Sequence, residues 1–183
     1  MIYVVSGHPR SGTSMMMAAL EAGGLKVVAS ASREALNRPD GPYKPNHGGL
    51  YEPAVHEMWQ PGWPRKHEGC ALKVVVQWLR HLAVHEYRVV MMERDPEEIR
   101  QSYRATGLET TAERIEQEMN EAYATLQNRA DVKHVRTLWY ADVLADPLRA
   151  LSSLCWPIDA RQAAKVVDPE QYRFRRERLV VGL

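Results

Sequence analysis

Gly7-His8-Pro9-Arg10-Ser11-Gly12-Thr13-Ser14 sets two glycines around four residues and adds one guanidinium and three hydroxyls. Glycines let a backbone turn tightly and approach a ligand closely. Where such a loop leaves a strand and opens a helix, its N–H groups and the helix dipole converge on one spot and favour an anion there. The skeleton is that of a phosphate loop. In the form that hydrolyses nucleoside triphosphates, a lysine after the second glycine reaches the β- and γ-phosphates and the hydroxyl beside it holds Mg²⁺. Here Thr13 stands at the lysine's position and the cation lies inside the loop, as Arg10. This disfavours ATP or GTP hydrolysis. The plain alternative is an ordinary strand–helix turn with a solvated Arg10. The conjunction of Gly, Pro, Arg, Gly and hydroxyls fits anion binding better, with Pro9, Arg10, Ser11, Gly12, Thr13 and Ser14 as its residues.

A second cation pattern follows at Arg94-Asp95-Pro96, with Ser102 beyond it. Asp95 is a good N-cap, Pro96 suits a first helical position, and Glu98 completes a capping box. Ser102 lies seven residues past the cap, about two turns at ~3.6 residues each, hence on the same face. Arg94 and Ser102 can therefore converge on one anion. Taken alone, the pattern reads better as a surface Arg94 paired with Glu97 or Glu98 and a solvated Ser102. Together with the first loop, it reads as a second phosphate site.

The elements that must position these groups alternate. An apolar run at 2–5 reads as a strand, 13–22 as a helix closed by Gly23-Gly24, and 25–29 as a short strand. Residues 30–68 hold six of the eleven prolines with interspersed glycines and aromatics, which argues for a long irregular excursion with one short helix near 53–60. Strands are expected at 71–76, 87–92 and 132–139. Helices are expected from residue 96, after a Thr110-x-x-Glu113 capping box with an Ile115/Met119/Ala122/Leu126 stripe, and near 147–155 and 159–166. The alternation argues for an α/β fold, three layers around a mainly parallel sheet, in one domain over 1–183.

The composition narrows the function classes. The 183 residues carry 24 Lys and Arg against 23 Asp and Glu, a net charge of +1. No global basic field exists to hold a nucleic-acid backbone, so no nucleic-acid partner is expected. Two cysteines make neither a disulfide framework nor a metal spacing, and the histidines show no metal spacing either. No apolar run approaches the ~18 residues of a membrane span, and Met1-Ile2-Tyr3-Val4-Val5, too short for a leader's apolar core and without a basic flank, is not expected to be one. A cytoplasmic protein without a membrane span is expected, and its oligomeric state is left open.

The ordered set of motifs resembles the sulfotransferases that use 3′-phosphoadenosine 5′-phosphosulfate (PAPS), in particular small bacterial members. Pro9 to Ser14 resembles their phosphosulfate loop. Arg94-Asp95-Pro96 through Ser102 resembles their 3′-phosphate motif. Asn46-x-Gly48-x-x-Tyr51-Glu52, Ala71-Leu72-Lys73 and Tyr140 to Pro147 are similar to further stretches of the family, in the same order along the chain. Three features depart from it. Val75 stands where many members carry a catalytic His, Met15 replaces an aromatic after the loop, and no Lys-Gly-x-x-Gly lies near the C-terminus.

The resemblance implies a five-stranded parallel sheet related to nucleotide kinases, PAPS as co-substrate, 3′-phosphoadenosine 5′-phosphate (PAP) as product, and no metal. It implies an acceptor hydroxyl or amine on a small molecule, glycan or peptide. Arg10 and Lys73 would stabilise charge on the bridging oxygen, and Arg94 and Ser102 would hold the 3′-phosphate. Glu52 is the first candidate for the base, ahead of His8 and His47. Its plain alternative is an ion-pair partner of an arginine. Arg175 and Arg176, with Arg173, either close over the nucleotide or form a solvated basic tail. Trp59 and Trp63 are candidates for an acceptor pocket, whereas Trp78, Trp139 and Trp156 read as core. Two rivals stay open. One is a Mg-dependent phosphotransferase using ATP, with Glu93 or Asp95 and Ser14 on the metal. The other is a non-catalytic nucleotide-binding module.

Overall fold

The structure is a computed structural model, and it describes residues 1–36, 49–172 and 174. The chain runs β1 (Ile2–Gly7), α1 (Thr13–Ala22), β2 (Val27–Val28), α2 (Ala31–Glu34), α3 (Val55–Met58), α4 (Trp63–Lys66) and β3 (Ala71–Lys73). A 3₁₀ turn at Val76–His81 leads to β4 (Tyr87–Glu93), α5 (Pro96–Arg104), α6 (Ala112–Gln127) and β5 (Val132–Trp139). The chain continues with α7 (Tyr140–Ala145), α8 (Pro147–Ser152), α9 (Ala160–Ala164) and a second 3₁₀ turn at Pro169–Gln171. All strand pairs are parallel, in the order β2-β3-β1-β4-β5. The chain is therefore α/β, as expected.

Side chains alternate across each strand, so the sheet divides the interior in two. Val5, Val90 and Met92 pack beneath α1 and α7–α9. Ile2, Val4, Val89 and Met91 pack on the other face against the 3₁₀ turn, α3, α4 and α6. With helices on both faces, the central strands are buried on both sides, which is why Ile2–Val5 of β1 and Val89–Met92 of β4 read as unbroken apolar runs. Among the described residues, no helix is long and apolar enough to cross a membrane.

The topology itself creates a crevice. The connection after β1 leads toward β2 at one edge, whereas the connection after β4 leads to β5 at the other. Where neighbouring parallel strands send their connections apart, a gap opens beyond their carboxyl ends. Gly7 closes β1 in register with Met92 of β4. The glycine loop and Arg94 thus flank that gap.

Several expectations need correction. The helix expected near 53–60 forms as α3, but the excursion holds two further short helices among its described residues, α2 and α4. β3 has three residues and yields to a 3₁₀ turn at Val76. The cap of α6 is Thr111, whose Oγ accepts from Arg114 N at 3.2 Å. Two adjacent threonines fit the capping pattern equally, and backbone conformation decided between them. Helix α7 follows β5 without a break, so no turn residue announced it. Trp156 is core, but Trp78 and Trp139 are exposed and Trp63, not Trp59, is buried.

Candidate functional site

The loop between β1 and α1 is held in a rarely populated conformation. Gly12 lies at φ 96°, and a Cβ there would sit 2.4 Å from the Tyr140 ring. Only glycine meets both conditions. Arg10 is also left-handed, at φ 75°, a conformation that costs a non-glycine residue about 1–3 kcal/mol and persists where its surroundings enforce it. The turn is closed by Ser11 N donating to the His8 carbonyl at 3.0 Å. No side chain caps the first turn of α1, so its N–H groups remain available to an anion. Ser11 Oγ is buried without a hydrogen-bond partner.

Two cationic arrangements flank this loop. On the β4 side, Arg94 Nε donates to Glu98 Oε2 at 2.9 Å and Nη1 to the Arg10 carbonyl at 3.1 Å. Its guanidinium stacks over Tyr140 and Tyr172, 4.7 and 5.4 Å from the ring centroids. Tyr172 donates to the other Glu98 oxygen at 2.8 Å. The pairing with Glu98 that the sequence offered as the plain reading of Arg94 is thus formed. The same guanidinium nevertheless lines the crevice and leaves Nη2 buried without a partner. Arg10 Nε donates to Ser102 Oγ at 2.9 Å, which brings the loop and α5 together.

On the β3 side, Lys73 Nζ donates to Ser14 Oγ at 3.0 Å and pairs with Glu52 Oε1 at 3.2 Å. Arg33 of α2 binds the other Glu52 oxygen. Glu34, one residue on, accepts from the Leu50 and Tyr51 amides. That clamp accompanies a left-handed Tyr51 at φ 56°. Burial works to raise the Glu52 carboxyl, but Lys73 and Arg33 outweigh it and hold it below the usual carboxylate range. Burial pulls the Lys73 ammonium below the usual lysine range against the opposing pull of Glu52. Lys73 thus has the nearby anion that a buried ammonium demands.

His8 lies elsewhere. Its ring is buried behind the loop, 3.2 Å from Glu118 of α6 and 5.6 Å from the Tyr103 ring, and it does not line the crevice. The expectation that it could reach an acceptor is corrected accordingly. Burial pushes its pKa below 6.5 and outweighs Glu118. A histidine with a depressed folded pKa binds its proton better unfolded, so stability falls as pH drops below 6.5. Urea unfolding at pH 7 and pH 5.5 should show that loss in the wild type and a smaller one in His8→Asn. Equal losses in both would exclude His8 as the source.

One cavity of about 580 Å³ collects these groups, with Arg10, Ser14, Glu52, Lys73, Arg94 and Ser102 on its wall. Pro9, Gly12 and Thr13 line it too, whereas Ser11 and His8 lie behind it. Glu93 and Asp95, the metal-binding candidates of the rival reading, are absent from the wall. Glu93 accepts from the Tyr123 hydroxyl and Asp95 caps α5. Among the described residues no group of three or more His, Cys, Asp or Glu could hold a metal ion. Arg173, Arg175, Arg176, Asn46 and His47 lie outside the described residues. Sequence reasoning missed Arg33, Gln77, Trp78 and Tyr103, all on the wall. They arrive from three elements, α2, the 3₁₀ turn at Val76–His81 and α5, so no local spacing marks them as a group.

No family model matches the chain, and no curated protein matches it either. Among solved structures, it is similar to the sulfotransferase domain of the olefin synthase from Synechococcus PCC 7002. The identity is 14%, the TM-score 0.49, and the match covers 95% of this chain and 82% of that one. It is also similar to an unliganded sugar kinase from Janibacter sp. HTCC2649, at 14% identity and a TM-score of 0.42, over 91% of this chain and 98% of that one. Neither likeness supplies a residue role here.

Proposed function

We propose that this chain moves a sulfuryl group from PAPS to a hydroxyl or amine of an acceptor. The observation that carries the reading is the pair of cationic arrangements on one crevice. Lys73 serves the glycine loop from β3, and Arg94, with a buried unpartnered Nη2, serves a second anion from β4. A nucleotide with phosphates at both its 3′ and 5′ positions needs two such places. The orphaned Nη2, the uncapped start of α1 and the cavity volume fit such a ligand. When bound, PAPS supplies the sulfuryl group and a doubly phosphorylated leaving group.

The chain's own residues have distinct tasks in this reading. Arg94 and Ser102 hold the 3′-phosphate. The loop amides, Arg10 and Lys73 balance the charge that grows on the leaving oxygen, where preorganised donors act most strongly. Glu52 is the one carboxylate among the described lining residues. It is ionised at neutral pH and able to accept the acceptor's proton. The phosphotransferase alternative lacks a lysine after Gly12 and, among the described residues, a carboxylate on the wall other than Glu52.

Calorimetry with PAP and with ADP–Mg²⁺ tests the reading. PAP should bind more tightly, with or without Mg²⁺, and lose affinity when its 3′-phosphate is removed. Preferential ADP–Mg²⁺ binding that ignores a 3′-phosphate would replace this proposal with phosphoryl transfer. Transfer of label from radiolabelled PAPS to an acceptor panel tests catalysis itself.

A further inference from the structure

Of the two ionisable side chains in the glycine loop, Arg10 lines the crevice and His8, 2% exposed, lies behind it. Both nitrogens of the His8 ring face an acceptor. Nδ1 lies 3.0 Å from the Pro9 carbonyl oxygen, and Nε2 lies 3.2 Å from Glu118 Oε2. A neutral imidazole carries one N–H and satisfies only one of them, whereas the imidazolium donates to both.

The surroundings of the ring pull both ways. From α6, Glu118 favours the proton and Arg114 opposes it, with Arg114 Nε donating to Glu118 Oε1 at 2.9 Å. From α5 comes the Tyr103 ring, 5.6 Å away. From the 3₁₀ turn comes the neutral Gln77 amide, which donates to Glu118 Oε2. Burial opposes the charge and outweighs the carboxylate. A negative charge brought to the loop adds to the side of Glu118.

The atom that Nδ1 touches decides where the loop aims an amide. In a trans peptide the C=O and the N–H point in opposite directions. With the Pro9 carbonyl turned back toward His8, the Arg10 N–H is directed to the other side, where Pro9 and Arg10 line the crevice. The next groups along the chain are tied as well. The Arg10 carbonyl accepts from Arg94 Nη1 at 3.1 Å, and Ser11 N donates to the His8 carbonyl at 3.0 Å. The left-handed Arg10, at φ 75°, sits between these ties, so the His8 ring is part of what enforces its strained backbone.

We infer that His8 is a positioning residue of the anion loop, which with Glu118 holds the Pro9 carbonyl behind the loop, aims the Arg10 amide at the crevice and takes up a proton from solvent when an anion seats there. The inference deepens the function proposed above and rests on its anion loop, though not on PAPS as the ligand. Linkage makes the effect reciprocal. An anion that raises the affinity of His8 for a proton is itself bound more tightly as pH falls through the titration of His8.

The experiment follows the His8 ring Cε1–H resonance by NMR, assigned from its absence in His8→Asn, as pH is varied with no added anion, with PAP and with inorganic sulfate. The midpoint should lie below 6.5 without anion and rise by about one pH unit with either, a tenfold change in proton affinity. Calorimetry supplies a second readout. Between pH 8 and pH 5.5, PAP affinity should gain roughly three- to tenfold more in wild type than in His8→Asn or in Glu118→Gln, which keeps an oxygen for Gln77. The titration of PAP's own phosphates is common to all three proteins and cancels in the comparison. A His8 midpoint that neither anion moves would overturn the inference, as would the same pH dependence of PAP affinity in wild type and His8→Asn. Either result beside tight PAP binding would leave the sulfuryl-transfer reading intact. A midpoint moved by sulfate in a protein that prefers ADP–Mg²⁺ to PAP would keep the positioning role of His8 and remove the PAPS reading instead.

Discussion

Arg94→Lys is expected to erase most of the preference for a 3′-phosphorylated nucleotide while sparing binding of the 5′-phosphate. The guanidinium does several things that an ammonium cannot do together. It pairs with Glu98, donates to the Arg10 carbonyl, stacks over Tyr140 and Tyr172, and keeps one nitrogen in reserve. Lysine retains the charge but loses the planar fork. Hydrogen bonds to charged groups contribute about 1.5–3 kcal/mol, so the ratio of AMP to PAP dissociation constants should fall by roughly ten- to a hundredfold. Arg94→Ala is a poorer test. It leaves the Glu98 carboxylate, which is 2% exposed, without its guanidinium, and loss of one partner from a buried ion pair costs about 3–5 kcal/mol of stability. A lysine variant that keeps the wild-type ratio would show that Arg94 is only a structural tie between β4, α5 and the loop.

Lys73→Met should separate activity from stability. Methionine matches the lysine stem in length and removes an ammonium that burial already disfavours. Glu52 keeps Arg33 as its partner, so no carboxylate is stranded. The thermal midpoint should therefore hold or rise, in line with the common result of replacing a buried ion by an apolar group. Turnover should nevertheless fall by roughly 10²–10³, the usual loss of one preorganised donor to developing charge. The pH profile offers an independent check. Because the Lys73 pKa is lowered from 10.5, the wild-type alkaline limb should begin below the ordinary lysine range. Turnover within about threefold of wild type in Lys73→Met would reduce Lys73 to a strut between Ser14 and Glu52.

The strand–loop–helix at the start of the chain was legible because its determinants are local. Gly7 and Gly12 permit the turn, and the apolar run before and the helix after are each readable within ten residues. The same holds for α5, where Asp95 and Pro96 mark the start and Asp95 accepts from the Glu97 and Glu98 amides. The short helices of the excursion were not legible. Each spans about one turn, too short to show a period and too short to stand without tertiary support. Trp78 was misplaced because an aromatic amid apolar neighbours reads as core whether or not a layer covers it.

His8 and Glu118 lie 110 positions apart in sequence, yet form the pair that withdraws His8 from the crevice. Arg33 and Glu52 meet in the same way across the excursion. The amino-acid sequence by itself determined β1, α1, the start of α5 at its Asp95 cap, and the chemical character of the two anion-seeking segments, because those follow from residue type and short-range spacing. Only the tertiary structure decided that β1 and β4 are neighbours, that their connections diverge, and that Lys73, Glu52 and Trp78 share one cavity. Such adjacency depends on the order in which strands pair and helices cover them, a property of the whole buried interior and not of any single segment.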